Sequence, residues 1–73
     1  MKKYNAVVAY SIKRDGNDRG RLVIVHYDNE NISDKEIIEL ADKKLIEDST
    51  YLNFTIESEG SIRTRNIVNQ IPK

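Results

Sequence analysis

Residues Ile32-Ser33-Asp34-Lys35-Glu36-Ile37 constrain this chain more than any other stretch, because they fix where a helix must begin. A serine followed three positions later by a glutamate is the reciprocal capping box. Ser33 accepts a hydrogen bond from the Glu36 N–H, and the Glu36 carboxylate reaches back to the Ser33 N–H. Ile32 before the cap and Ile37 at the fourth helical position form the hydrophobic staple that accompanies it. Beyond it Ile37, Ile38, Ala41 and Leu45, flanked by Leu40 and Ile46, recur at helical spacing and predict a helix over 33–48. Glu39, Asp42, Lys43 and Glu47 take the solvated face, with Glu39 and Lys43 at the spacing of a favourable i, i+4 ion pair.

The flanking sequence is strand-like. Tyr4 to Lys13 and Arg21 to Tyr27 are rich in β-branched and aromatic residues, and the Gly, Asn and Asp residues between Arg14 and Gly20 predict a hairpin over 4–28 with a tip longer than the tightest two-residue type. From Tyr51 to Ser58, Leu52, Phe54 and Ile56 alternate with Tyr51, Asn53, Thr55 and Glu57, the pattern of a half-buried strand. Ser58-Glu59-Gly60 then reads as a three-residue loop, Gly60 supplying a left-handed residue, within a second hairpin over 51–68. That loop sets Ser61 opposite Glu57, Ile62 opposite Ile56 and Thr64 opposite Phe54. Arg63 and Arg65 then fall on the outer face beside Thr55 and Asn53, which avoids burying an unpaired guanidinium. Residues 69–73 read as a frayed tail. The expected architecture is a single α+β domain of ββαββ order, a four-stranded, largely antiparallel sheet with one helix packed on one face.

Composition limits what such a domain can do. At 73 residues it buries only about 60% of the surface its unfolded chain exposes, so its stability is marginal or shared with a partner. Cysteine is absent, which excludes disulfides, thiolate metal sites and a cysteine nucleophile. Acidic and basic residues balance at 12 each, so no global field draws the chain to nucleic acid or to an anionic membrane. No apolar run approaches the roughly 20 residues of a membrane span, and Met1-Lys2-Lys3 leads into strand-like sequence rather than a signal-peptide core. The expectation is a cytoplasmic protein. Heavy use of Ile, Lys, Asn and Glu suits an AT-rich genome, and by analogy of size and composition suggests a bacterial, phage or mobile-element origin.

A single helix covers one side of a four-stranded sheet, so the other side must be polar or covered by something else. The first hairpin is apolar on both faces, which leaves an exposed patch of the kind that marks interaction sites. The expected function is therefore a non-enzymatic protein–protein interaction module, self-associating as a homodimer or binding another protein through Val7, Val23, Val25 and Tyr27. The alternative is a nucleic-acid-binding domain. In that reading Arg14, Arg19 and Arg21 at the hairpin tip and Tyr51, Arg63 and Arg65 on the outer face combine phosphate contacts with base stacking.

Nothing in the chain assembles catalysis. His26 has no identifiable second group for acid–base work, and the five serines stand in no nucleophile context. Asp15, Asn17 and Asp18 lack the glutamate that closes a calcium loop and are accounted for by turn formation. Gly16 and Gly20 do not follow a strand into a helix as a phosphate loop requires. No metal, cofactor or small-molecule substrate is expected.

Overall fold

The computed structural model describes residues 3–67. Strand β1 (Tyr4–Arg14) and strand β2 (Asn17–Tyr27) form a long antiparallel hairpin, in register from Tyr4 opposite Tyr27 to Arg14 opposite Asn17. The tip is tighter than the sequence suggests. Asp15 and Gly16 alone make the turn, at φ 52° and 77°, the two successive left-handed residues of a type I′ turn, whose twist matches that of the flanking strands. Because the turn closes so early, the polar residues Asn17 to Gly20 become strand opposite Ser11 to Arg14.

Helix α1 spans Asp34–Leu52 and starts where the capping box puts it. The Glu36 N–H donates to Ser33 Oγ at 3.2 Å, while the Glu36 carboxylate accepts from the Ser33 hydroxyl at 3.4 Å instead of from its backbone. Ile32 and Ile37 are both buried, as the staple requires. The helix runs four residues past the expected end. Leu52 lies seven residues beyond Leu45 and continues the same apolar stripe, half-buried against the core. Asn53, left-handed at φ 57°, then stops the helix, and the Phe54 N–H returns to the Ser49 carbonyl at 3.2 Å in a Schellman closure.

This longer helix removes the second hairpin. Strand β3 is only Thr55–Ile56 and strand β4 is Ser61–Ile67. Each pairs antiparallel with β1, β3 at Ile12 and Lys13 and β4 from Tyr4 to Ala9, so the two lie end to end along one edge of β1 and do not face each other. The expected pairings of Ser61 with Glu57, Ile62 with Ile56 and Thr64 with Phe54 are replaced by Ser61 with Ala9, Ile62 with Val8 and Thr64 with Val7. Between Ile62 and Thr64, Arg63 has no partner on β1 and forms a bulge. The break between β3 and β4 is bridged at Ser11, whose carbonyl accepts from the Glu57 N–H at 2.8 Å and whose N–H donates to Ser58 Oγ at 2.9 Å.

The result is a four-stranded α+β sheet with β1 at its centre, β2 on one side, β3 and β4 on the other, and α1 across one face. Ala6, Val8, Tyr10 and Ile12 of β1 and Val23, Val25 and Tyr27 of β2 point toward Ile37, Ala41 and Leu45. Fully burying an Ile or Leu side chain stabilises a fold by about 1.5–3 kcal/mol, and Ile37 and Leu45 are both inaccessible to solvent. Polar contacts show that the helix crosses the sheet diagonally. Its first turn touches β4 through Asp34 and Arg65, its middle touches β1 through Asp42 and Tyr10, and its last turns touch β2 through Asp48 and Arg21. Among the described residues no helix is long and apolar enough to cross a membrane. The tail expected over 69–73 lies outside the described residues.

Candidate interaction surface

Strand alternation decides which half of the first hairpin is available. Residues facing each other across β1 and β2 share a face, so Val7 with Ile24 and Ala9 with Leu22 lie on the side away from the helix. Leu22 is 65% exposed and Ile24 49%, while Val7 and Ala9 are half-covered by their neighbours. These four side chains form an apolar strip along the open face. Asn5 and His26 bound it at one end, and Lys13 and Asp18 at the other, the last two 3.8 Å apart. On the β4 side the strip borders Ser61, Thr64 and Asn66, with the Asn66 amide donating to Asn5 Oδ1 at 3.2 Å.

Of the four residues expected at an interface, Val7 is on this face. Val23, Val25 and Tyr27 lie beneath the helix, at most 5% exposed. The correction follows from parity: the apolar character of both hairpin faces left open which one the helix would take, and choosing the odd-numbered face of β2 for the core puts Leu22 and Ile24 outside. Their alternation with Val23 and Val25 was visible in the sequence. What the sequence lacked was a marker of which face packs, and the partner of Tyr10 on the helix supplies one.

The arginines and the tyrosine grouped by the nucleic-acid reading do not share a surface. Tyr51 is on the last turn of α1, 89% exposed, because residues 49–52 are helical. Arg65 pairs with Ala6 and so lies on the helix side of the sheet. It reaches across this small residue to Tyr27, its guanidinium carbon 5.8 Å from the ring centre. There Nη2 donates to the Ile32 carbonyl at 3.0 Å and Nη1 to Asp34 Oδ1 at 2.9 Å. Tyr27 in turn stacks on Tyr4, ring centres 5.5 Å apart. Burial of the Tyr4 ring, and then the nearby Glu30 carboxylate, hold the Tyr4 phenol above its ordinary pKa.

Arg21 is also on the helix side, 5.3 Å over the Phe54 ring with Nη2 donating to Asp48 Oδ2 at 2.9 Å. Its Nε is buried and makes no hydrogen bond. Arg14 and Arg19 remain exposed at the hairpin tip. Arg63, in the bulge, lines a shallow depression of the open face with Ala9, Ser11, Gly20, Leu22 and Ser61. The basic residues thus divide between two helix-side clamps, the tip and one bulge.

His26 is exposed at the β2 edge, and the described residues contain no group of three or more His, Asp or Glu side chains placed to hold a metal. The β2 edge itself carries one notable contact. Lys44 of the helix donates to the Ile24 carbonyl at 2.8 Å, occupying a main-chain acceptor that points away from β1.

No family model matches the chain, and no characterised protein or solved structure is detectably similar to it.

Proposed function

We propose that the chain is a non-enzymatic interaction module that assembles with a second copy of itself through the open face of its sheet. The observation that carries this reading is the strip of Val7, Ala9, Leu22 and Ile24, two of whose members are about half or more exposed on a chain too small to waste apolar surface. The molecule is a slab with extents of 40 × 27 × 19 Å, so its broad face offers on the order of 800 Å², the share each partner contributes to a standard interface. A second copy suits the face electrostatically. The strip carries no charge, the lysine at its end is matched by Asp18 and Glu57, and the whole chain is neutral, so two identical strips meet about a two-fold axis without repulsion, with the exposed Arg63 at the border of each.

The test is sedimentation of the purified chain across a wide concentration range, beside Ile24→Asp and Leu22→Asp. Both substitutions sit on the exposed side and leave the helix-packed core untouched, so helix content by circular dichroism should be retained. The expected result is a dimer for the parent and monomers for the variants. A parent that stays monomeric at high concentration, or folded variants that dimerise as well as the parent, removes the reading.

A further inference from the structure

The diagonal path of α1 leaves one corner of the helix side uncovered. As the helix turns toward β2, it parts from the segment that bridges β3 and β4, and a groove of 720 Å³ opens between them. Its helix wall is the line Lys35, Ile38, Glu39, Asp42 and Ile46, and its other wall is Ile56 with Ser58, Glu59 and Gly60. We propose that this groove binds a basic amphipathic segment of another protein.

Three observations on the groove choose that occupant. The lining is aliphatic: Ile46 is 57% exposed and Ile56 38%, with Ile38 half-buried on the helix wall, so a ligand that covers them removes apolar surface from water. The rim is acidic, with the carboxylates of Glu39, Asp42 and Glu59 against the single cation Lys35. Neither Glu39 nor Glu59 has an ion-pair partner among the described residues. The pair expected between Glu39 and Lys43 is not formed, which leaves the Glu39 carboxylate for the groove. An occupant with Lys or Arg beside aliphatic side chains matches both features, and an acidic one is repelled.

The walls are also fixed in advance. A side chain at position 60 would place its Cβ 2.8 Å from both the Tyr10 hydroxyl and Val8 Cγ1, so Gly60 lies flat against the core. The Tyr10 hydroxyl is itself held by Asp42 at 2.6 Å. A preformed groove spends little of its binding energy on ordering. The chain's own exposed basic stretch does not fill the role, since Lys13 to Gly20 contains no aliphatic residue.

This surface is separate from the open sheet face, and the test distinguishes them. A synthetic amphipathic Leu/Lys peptide is titrated into the isotopically labelled full chain and followed by amide chemical shifts, with a Leu/Glu peptide of the same pattern as comparison. The expected result is saturable binding of the Leu/Lys peptide alone, with the largest shifts at Ile46, Ile56 and Gly60. Affinity should weaken about tenfold or more in Glu39→Lys/Glu59→Lys, and again in Ile46→Ser, all at exposed sites where folding is checked by the spectrum itself. Unchanged affinity in the folded variants, shifts centred on Leu22 and Ile24, or absence of binding overturns the proposal. So does a change in sedimentation of the chain alone on Ile46→Ser, which would mean that a second copy fills the groove.

Discussion

The Tyr10 hydroxyl donates to Asp42 Oδ1 at 2.6 Å, tying the centre of β1 to the middle of the helix. Tyr10 is 5% exposed. Burial, reinforced by the neighbouring carboxylate, pushes its phenol well above the ordinary tyrosine pKa of 10.0. In the unfolded chain the same phenol titrates near 10. Below that pH both states hold the proton and the contribution to stability is complete. Above it the unfolded state releases its proton first, the native state binds more, and stability falls as pH rises toward the folded value.

Tyr10→Phe therefore costs about 1–2 kcal/mol at neutral pH, the worth of a partly exposed hydrogen bond to a charged acceptor. The difference between parent and variant should narrow as pH climbs above 10. Denaturant unfolding of the pair at neutral and alkaline pH measures it. A gap independent of pH would show that Tyr10 ionises as easily in the native state as in the unfolded chain.

Gly60 is required by close approach and not by backbone conformation, since its φ lies outside the left-handed region. A Cβ there meets the hydroxyl that Asp42 holds and a methyl of the fully buried Val8, neither free to move. Gly60→Ala is expected to lose about 1–3 kcal/mol, the range for overpacking a filled site. Gly20→Ala, which meets nothing within 4 Å, should change stability far less. Thermal unfolding of the two variants in parallel separates a local clash from a general intolerance of alanine for glycine.

The helix start, the first hairpin and the α+β class were legible because each is written in local chemistry: a cap and staple at Ser33, long β-branched runs, a helical stripe. The C-terminal third was not, because one stretch satisfies two periods. Leu52 belongs to the stripe of Ile37, Ala41 and Leu45, yet it also alternates with Phe54 and Ile56. The helical period prevails because its register is already set by six apolar positions upstream, from Ile37 to Ile46, and Asn53, a residue that tolerates the left-handed conformation, marked the stop. Gly60 misled in the same way. Glycine signals either a left-handed turn or a close contact, and only the position of Tyr10 in the fold distinguishes them. Arg65 was carried to the outer face by the false hairpin, whereas Arg63, in its bulge, does line the open face. Arg65 shows that a guanidinium on the packed side is tolerated at a rim that offers it a carbonyl and a carboxylate.

Arg65 joins β4 to the residues that lead into the helix through Ile32 and Asp34. Asp34 is largely exposed, so the ion pair alone contributes little; the hydrogen bond to the Ile32 carbonyl and the packing over Tyr27 contribute more. Arg65→Ala should destabilise the fold measurably. Arg65→Lys should recover only part of that, because an ammonium cannot reach the carbonyl and carboxylate together while lying flat on the ring. Chemical denaturation of both variants decides, and full recovery by lysine would mean that charge alone accounts for the contact.

The β2 strand is a long edge, and its pairing with β1 in a two-residue hairpin turns the main-chain groups of Leu22, Ile24 and His26 outward. Such an edge invites another strand, and proteins commonly block it with lysine. Lys44 does so from the helix, donating to the Ile24 carbonyl at 2.8 Å. Lys44→Ala removes a surface side chain, so its effect on stability should stay within about 0.5 kcal/mol. Its effect on assembly should be larger: with the acceptor free, edge-to-edge pairing becomes available, and species larger than those of the parent chain should appear in sedimentation together with thioflavin binding on incubation. Lys44→Arg, which keeps a donor at the same edge, should suppress both. If Lys44→Ala sediments as the parent does and stays free of thioflavin signal, the edge is protected by its twist and its polar hairpin tip, and Lys44 is a bystander.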